Sequence, residues 1–234
     1  FEEGMAKATI SSIYAMKEIQ KKNGEAGANR YIISNCGSVQ GVLQPFAFLR
    51  SCDWEEPTVD VIPLFETVPD LQDAHNVMEQ LYTNPEYKAH LERRGNKQTI
   101  MLGFSDGTKD GGYLMANWSI YKAKEALTKI SREYGIKVVF FDGRGGPPAR
   151  GGGKTHQFYA SLGPTIENEE IQITVQGQTI SSNFGTRDSC TYNLEQLVSA
   201  GISNEVFNPE KNRLREDDRQ TMTDLAEISY ETYM

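Results

Sequence analysis

Cysteine is scarce and badly placed for cross-linking. Cys36, Cys52 and Cys190 make an odd count with no CxxC pair, which argues against a disulfide scaffold or a structural zinc site and suits reduced, cytoplasmic thiols. Positive charge is outweighed: 24 Lys and Arg stand against 32 Asp and Glu, a formal net charge of −8. General nucleic-acid binding relies on a surplus of cations to displace phosphate counterions, so it is not expected, and any anion site must be a local basic pocket. No apolar run reaches the roughly 18 residues that would suggest a membrane span, and no signal peptide is recognisable. Repeats, low-complexity tracts and convincing linkers are also missing. The 234 residues therefore read as one unit, long enough for an α/β domain with a proper core.

The ends read as interior sequence. Phe1 is not an initiator, and the chain begins directly in a helical pattern with Met5, Ile10, Ile13, Tyr14 and Met16 facing one way. MTDLAEISYETYM closes the chain inside another amphipathic pattern with no stop signal. The expectation is a piece excised from a longer protein.

Between the ends, strand candidates fall at Tyr31–Asn35, Val59–Glu66, Thr99–Phe104, Lys137–Phe141 and Ile171–Val175, each rich in β-branched or aromatic residues. Helical patterns fill most intervals. Asp70–Tyr82 places Leu71, Ala74, Val77, Met78 and Leu81 inward, and Gly112–Tyr134 does the same with Trp118, Tyr121, Ala126, Leu127 and Ile130. Alternation of this kind favours parallel βαβ units, and a run such as VVFF suits a strand covered on both faces. About half of an eight-stranded α/β barrel would fit.

Two carboxylates close successive strand-like runs: Glu66 after VDVIPLF and Asp106 after QTIMLGFS. A carboxylate there is often only a helix cap, but Glu is a poor one, and Thr67 or Asp70 could cap the next helix instead. Two oxygen donors, with other positions left to water and substrate, suit Mg²⁺ or Mn²⁺. Downstream, GRGGPPARGGGKTH carries Arg144, Arg150 and Lys154 among six glycines. Glycines let backbone N–H groups approach an anion while arginines grip phosphate or carboxylate bidentately. Pro148 occupies a glycine position of both the dinucleotide fingerprint and the Walker A loop, which disfavours both. A P-loop hydrolase built on GGGKT remains the nearest alternative.

PLFET (Pro63–Thr67), GFSDGTKDGG (Gly103–Gly112), GRGG-x3-RGGG (Gly143–Gly153), VQGQ (Val175–Gln178) and FG (Phe184–Gly185) together resemble phosphoenolpyruvate carboxylase in order and spacing, from about Tyr31 onward. The resemblance implies a helix-rich elaboration of a (β/α)8 TIM-like barrel, in a parent that assembles as a homotetramer. It also implies a reaction in which bicarbonate attacks the phosphate of phosphoenolpyruvate, and the resulting enolate captures CO₂ as oxaloacetate for the citric acid cycle. By the same likeness Glu66 and Asp106 take the metal positions for Mg²⁺ or Mn²⁺, and Lys109 is the motif lysine. Arg144 and Arg150 take the loop-arginine positions, with Gly145, Gly146 and Lys154 on the substrate side. The family's principal histidine would precede Phe1 and two further arginines would follow Met234, so this piece alone is expected to be inactive.

One position departs from the pattern. Where the family commonly reads FHGRGG, this chain has Asp142, placed among the catalytic candidates, and an ionised Asp facing carboxyphosphate would repel it. Lys154 is expected to restore the charge by pairing with Asp142. A catalytically silent homologue is the corresponding alternative. His156 keeps the family's TH position and reads as a helix-start residue.

Overall fold

The structure is a computed model that describes residues 3–207 and 213–234, without the side chains of Glu3, Met5, Gln178 and Glu205. Phe1, and the Met5 and Gln178 side chains named above, lie outside the described residues. The five β-branched runs form five strands: β1 (Arg30–Ile33), β2 (Asp60–Phe65), β3 (Lys97–Leu102), β4 (Lys137–Gly145) and β5 (Ile171–Val175). Around them run α1 (Glu3–Asn23), α2 (Val39–Ser51), α3 (Val68–Thr83), α4 (Pro85–Arg93), α5 (Phe104–Glu133), α6 (Thr155–Ser161), α7 (Gly177–Phe184), α8 (Arg187–Ile202) and α9 (Glu216–Tyr233).

Every neighbouring pair of strands is parallel, and the order across the sheet is the chain order, β1-β2-β3-β4-β5. Each crossover therefore advances in the same direction, and right-handed crossovers that never reverse put their helices on one face. This is the winding of successive barrel strands; a doubly wound sheet would reverse direction. All five C-terminal strand ends share one edge. Val61, Ile62 and Phe65 of β2 and Val138, Val139 and Phe140 of β4 are buried, as the continuous apolar runs require of strands covered on both sides.

Leu71, Ala74, Val77, Met78 and Leu81 of α3 are all buried against this sheet. The start of α3 is fixed by a capping box in which the Asp70 backbone N–H donates to Thr67 Oγ1 and the Thr67 N–H to the Asp70 carboxylate. Thr67 is thus the cap, and Glu66 is left free of that duty. The expected helix from Gly112 is present but extends back to Phe104, with a break at Gly112 (φ 72°, ψ 169°). Phe104, expected as a strand end, opens α5 instead, and Asp106 lies in its first turn rather than at the strand end.

The termini pack more narrowly than the sequence pattern implied. On α1, Ile13 is buried, but Ile10 and Tyr14 are each 42% exposed. The helix is tied to the end of α2 by Lys17 Nζ, which donates to the Cys52 and Asp53 carbonyls at 3.0 and 2.7 Å, so the Tyr14 hydroxyl reaches Asp53 rather than the core. On α9, Ala226 is buried against α5, Trp118 Nε1 donates to Thr223 at 3.1 Å, and Arg219 grips Glu125 with two 2.6 Å bonds. No described helix is long and apolar enough to cross a membrane.

Candidate functional site

Parallel strands in chain order gather the candidate residues at one edge. Glu66 follows the last residue of β2, and Asp106 follows β3 by one helical turn. Glycines bring them together. A Cβ on Gly103 would lie 3.1 Å from the Glu66 backbone, one on Gly107 3.2 Å from the Glu66 carbonyl, and one on Gly111 2.8 Å from Val68. This stripe, one residue per turn, lets the start of α5 lie directly against the end of β2. The Val68 N–H donates to Asp110 across the same contact at 2.9 Å.

The two carboxylates feel each other. Burial raises the Glu66 pKa above its ordinary value and the Asp106 charge raises it further, with a backbone bond at Asn35 opposing. Asp106 is exposed and accepts from Lys109 Nζ at 2.7 Å. Among the described residues no group of three or more His, Cys, Asp or Glu could enclose an ion. The chemistry of this donor pair fits a hard, open site for a divalent cation whose remaining ligands come from elsewhere, and not a closed structural one.

The cations come from β4 and the loop that follows. Arg144 is only 5% exposed, with its guanidinium carbon 4.3 Å from the Phe158 ring centre and 5.7 Å from that of Phe104. Its Nε and Nη1 are buried with no hydrogen-bond partner among the described residues. Burial lowers the Arg144 pKa, and the nearby Tyr113, Tyr159 and Asp142 oppose that shift. Arg150 and Lys154 are exposed, Arg150 on a short 3-10 turn (Pro148–Arg150) and Lys154 at the start of α6. The loop folds back tightly on itself: a Cβ on Gly152 would lie 1.7 Å from the Gly146 carbonyl oxygen. Gly151 adopts φ 74° against the first turn of α5, next to the Phe104 carbonyl and Thr108. A cavity of 350 Å³ is lined by Arg144, Gly145, Gly146, Lys154 and His156 together with β5 and α8 side chains.

Asp142 lies inside the fold, behind the glycine loop. It is fully buried, and its Oδ2 accepts from Lys124 Nζ at 2.7 Å and from the Tyr159 hydroxyl at 2.6 Å. The expected partner, Lys154, is exposed, so that pairing is corrected: the compensating cation is Lys124, from α5. Burial lowers the Lys124 pKa and Arg144 adds to the effect, while Asp142 opposes it; Tyr159 is pushed well up, first by burial and then by Asp142. Lys124, Tyr159, Phe104 and Phe158 were all missed as site residues. The one readable signal was a lysine on the apolar stripe formed by Ile120, Ala123 and Leu127.

A model of the phosphoenolpyruvate carboxylase family matches residues 3–234. The chain is 36% identical over 223 residues to the phosphoenolpyruvate carboxylase of Nitrosomonas eutropha, an alignment covering 92% of this chain and 24% of that protein. Its likeness to the phosphoenolpyruvate carboxylase of Corynebacterium efficiens is the same in identity and coverage. The chain thus spans about a quarter of the length of these curated relatives.

Proposed function

The chain belongs to the phosphoenolpyruvate carboxylase family, and from that premise we propose that it forms part of the catalytic half of a longer, cytoplasmic, homotetrameric enzyme that converts phosphoenolpyruvate and bicarbonate to oxaloacetate and phosphate. The observation that carries this reading is Arg144. A guanidinium 5% exposed, with two nitrogens lacking partners among the described residues, is costly to maintain unless an anion completes it. In this reading the five parallel strands are consecutive members of a closed eight-stranded barrel.

Each residue then has a role its chemistry permits. Arg144 holds the phosphoryl or bicarbonate oxygens in a fixed, water-poor position, and such a preorganised donor is often worth about 3–4 kcal/mol of barrier. Arg150 and Lys154 bring positive charge from the exposed side of the loop, and Gly145 and Gly146 let the loop pack against the end of β5, where a Cβ would lie 1.6 Å from the Thr174 carbonyl oxygen and 2.7 Å from the Gln176 side chain, respectively. Glu66 and Asp106 would hold the divalent cation, which when bound supplies Lewis-acid stabilisation to the enolate oxygen. Lys109 balances the Asp106 charge.

Neither alternative gains support. A nucleotide site of the α/β type lies where strand order reverses, and the described sheet has no reversal. The case for a silent homologue rested on Asp142 repelling the anion, whereas Asp142 is buried and paired. The test is oxaloacetate formation by the full-length protein with phosphoenolpyruvate, bicarbonate and Mg²⁺, coupled to malate dehydrogenase. Turnover is expected and should fall at least a hundredfold in Glu66→Ala, as the loss of a main electrostatic contributor does. Absence of oxaloacetate from the wild-type protein would overturn the reading.

A further inference from the structure

Three charges are buried side by side behind the glycine loop. Lys124 and Asp142 are 1% and 0% exposed at the side chain and 2.7 Å apart. Arg144 lies two residues further along β4 and shares the Phe158 ring with Lys124, whose Nζ is 5.2 Å from that ring centre. The cluster sums to one net positive charge. Asp142 has two oxygens for two possible cationic partners, and the division between them is uneven. Oδ2 takes both Lys124 and Tyr159, while Oδ1 has no partner among the described residues, and neither do Arg144 Nε and Nη1. Asp142 and Arg144 are two residues apart on one strand and Asp142 acts electrostatically on Arg144, and an arginine fork that meets a carboxylate commonly pairs with it bidentately. Here they do not.

We propose that Lys124 is a positioning residue: by holding Asp142 with the help of Tyr159, it keeps the carboxylate from pairing with Arg144 and leaves the Arg144 guanidinium open to an anionic phosphate or carboxylate group. Lys124 touches no substrate in this scheme. It cancels the Asp142 charge internally, so that the single uncompensated charge of the cluster is the one on Arg144. This also explains how the chain carries an Asp where its family commonly has a neutral-capable histidine. The proposal rests on the carboxylase reading only for the identity of the anion.

The experiment measures phosphoenolpyruvate binding by calorimetry, and separately kcat and KM, in the full-length protein carrying Lys124→Gln, and in the double variant Lys124→Gln/Asp142→Asn, which removes both charges with little change of shape. Lys124→Gln alone should weaken phosphoenolpyruvate binding at least tenfold, raising KM more than it lowers kcat, because Arg144 turns to Asp142. The double variant should recover binding to within about threefold, with Arg144 again carrying the only uncompensated charge of the cluster. If Lys124→Gln fails to fold, recovery of both folding and binding in the double variant still supports the proposal. Binding unchanged in Lys124→Gln, weakened equally in both variants, or absent from the wild-type protein would overturn it. A wild-type protein that binds phosphoenolpyruvate but forms no oxaloacetate would sink the carboxylase reading while leaving this comparison intact.

Discussion

His90 is 1% exposed and tilted against the Phe46 ring, with 4.9 Å between ring centres and Tyr87 6.0 Å away. Burial, reinforced by Arg93, lowers its pKa from 6.5 to about 4. The folded state therefore holds fewer protons on this ring than the unfolded state does, so its contribution to stability is complete above pH 6.5 and is lost as pH falls toward 4. A shift of this size corresponds to roughly 3 kcal/mol at most. The thermal midpoint of the full-length protein should fall between pH 7 and pH 5, and His90→Leu should flatten that fall; identical slopes in the two proteins would refute the assignment. At this scale legibility was uneven. Glu66, Asp106 and Arg144 stood out as candidates because each sits in a contiguous string whose residue types suit one chemistry. The Lys124–Asp142 pair could not, because its members are 18 residues apart on different elements, and no spacing rule links a helix lysine to a strand carboxylate.

Strands were the most legible elements. All five were anticipated because β-branched and aromatic runs bounded by polar residues leave little choice of structure, and β5 matches its expected span, Ile171–Val175. Boundaries failed where glycine acts by close approach. Nothing in FSDGTKDGG announces that its glycines seat a helix on β2, so α5 begins eight residues before the expected Gly112. The α3 cap shows how an element's start bears on the site. Thr67 is next to Glu66, so the capping box also fixes the direction in which the chain leaves β2. Thr67→Ala should cost about 1 kcal/mol of stability by removing the Oγ1 acceptor, and it should weaken Mn²⁺ binding as Glu66 loses its anchor. Thr67→Ser keeps the oxygen and should behave as wild type in both respects. Isothermal titration with Mn²⁺ beside thermal melts checks this; an alanine variant that loses stability with unchanged Mn²⁺ affinity would uncouple the cap from the site.

In the described molecule the sheet is open. Strand β1 pairs only with β2 and β5 only with β4, so each presents one row of backbone donors and acceptors without a neighbouring strand. Ile32 of β1 is 42% exposed, and Val198 and Ile202 of α8 and Ile228 of α9 are also exposed. Unpaired strand edges template pairing with other chains, and contiguous exposed apolar surface adds to that tendency. Expressed by itself, the 234-residue chain should therefore self-associate at micromolar concentration and show no oxaloacetate formation, while a full-length protein whose further strands close the proposed barrel should have one discrete size. The two sources of association can be separated. A charge on the strand edge, Ile32→Lys, should lower the apparent mass by light scattering if edge pairing dominates, because a lysine there opposes continuation of the sheet. Val198→Glu with Ile202→Glu should be the more effective change if the α8 surface dominates. A wild-type chain that elutes as a stable monomer would mean that neither edge is open in solution, and the assignment of this sheet to part of a larger barrel would then lose its physical basis.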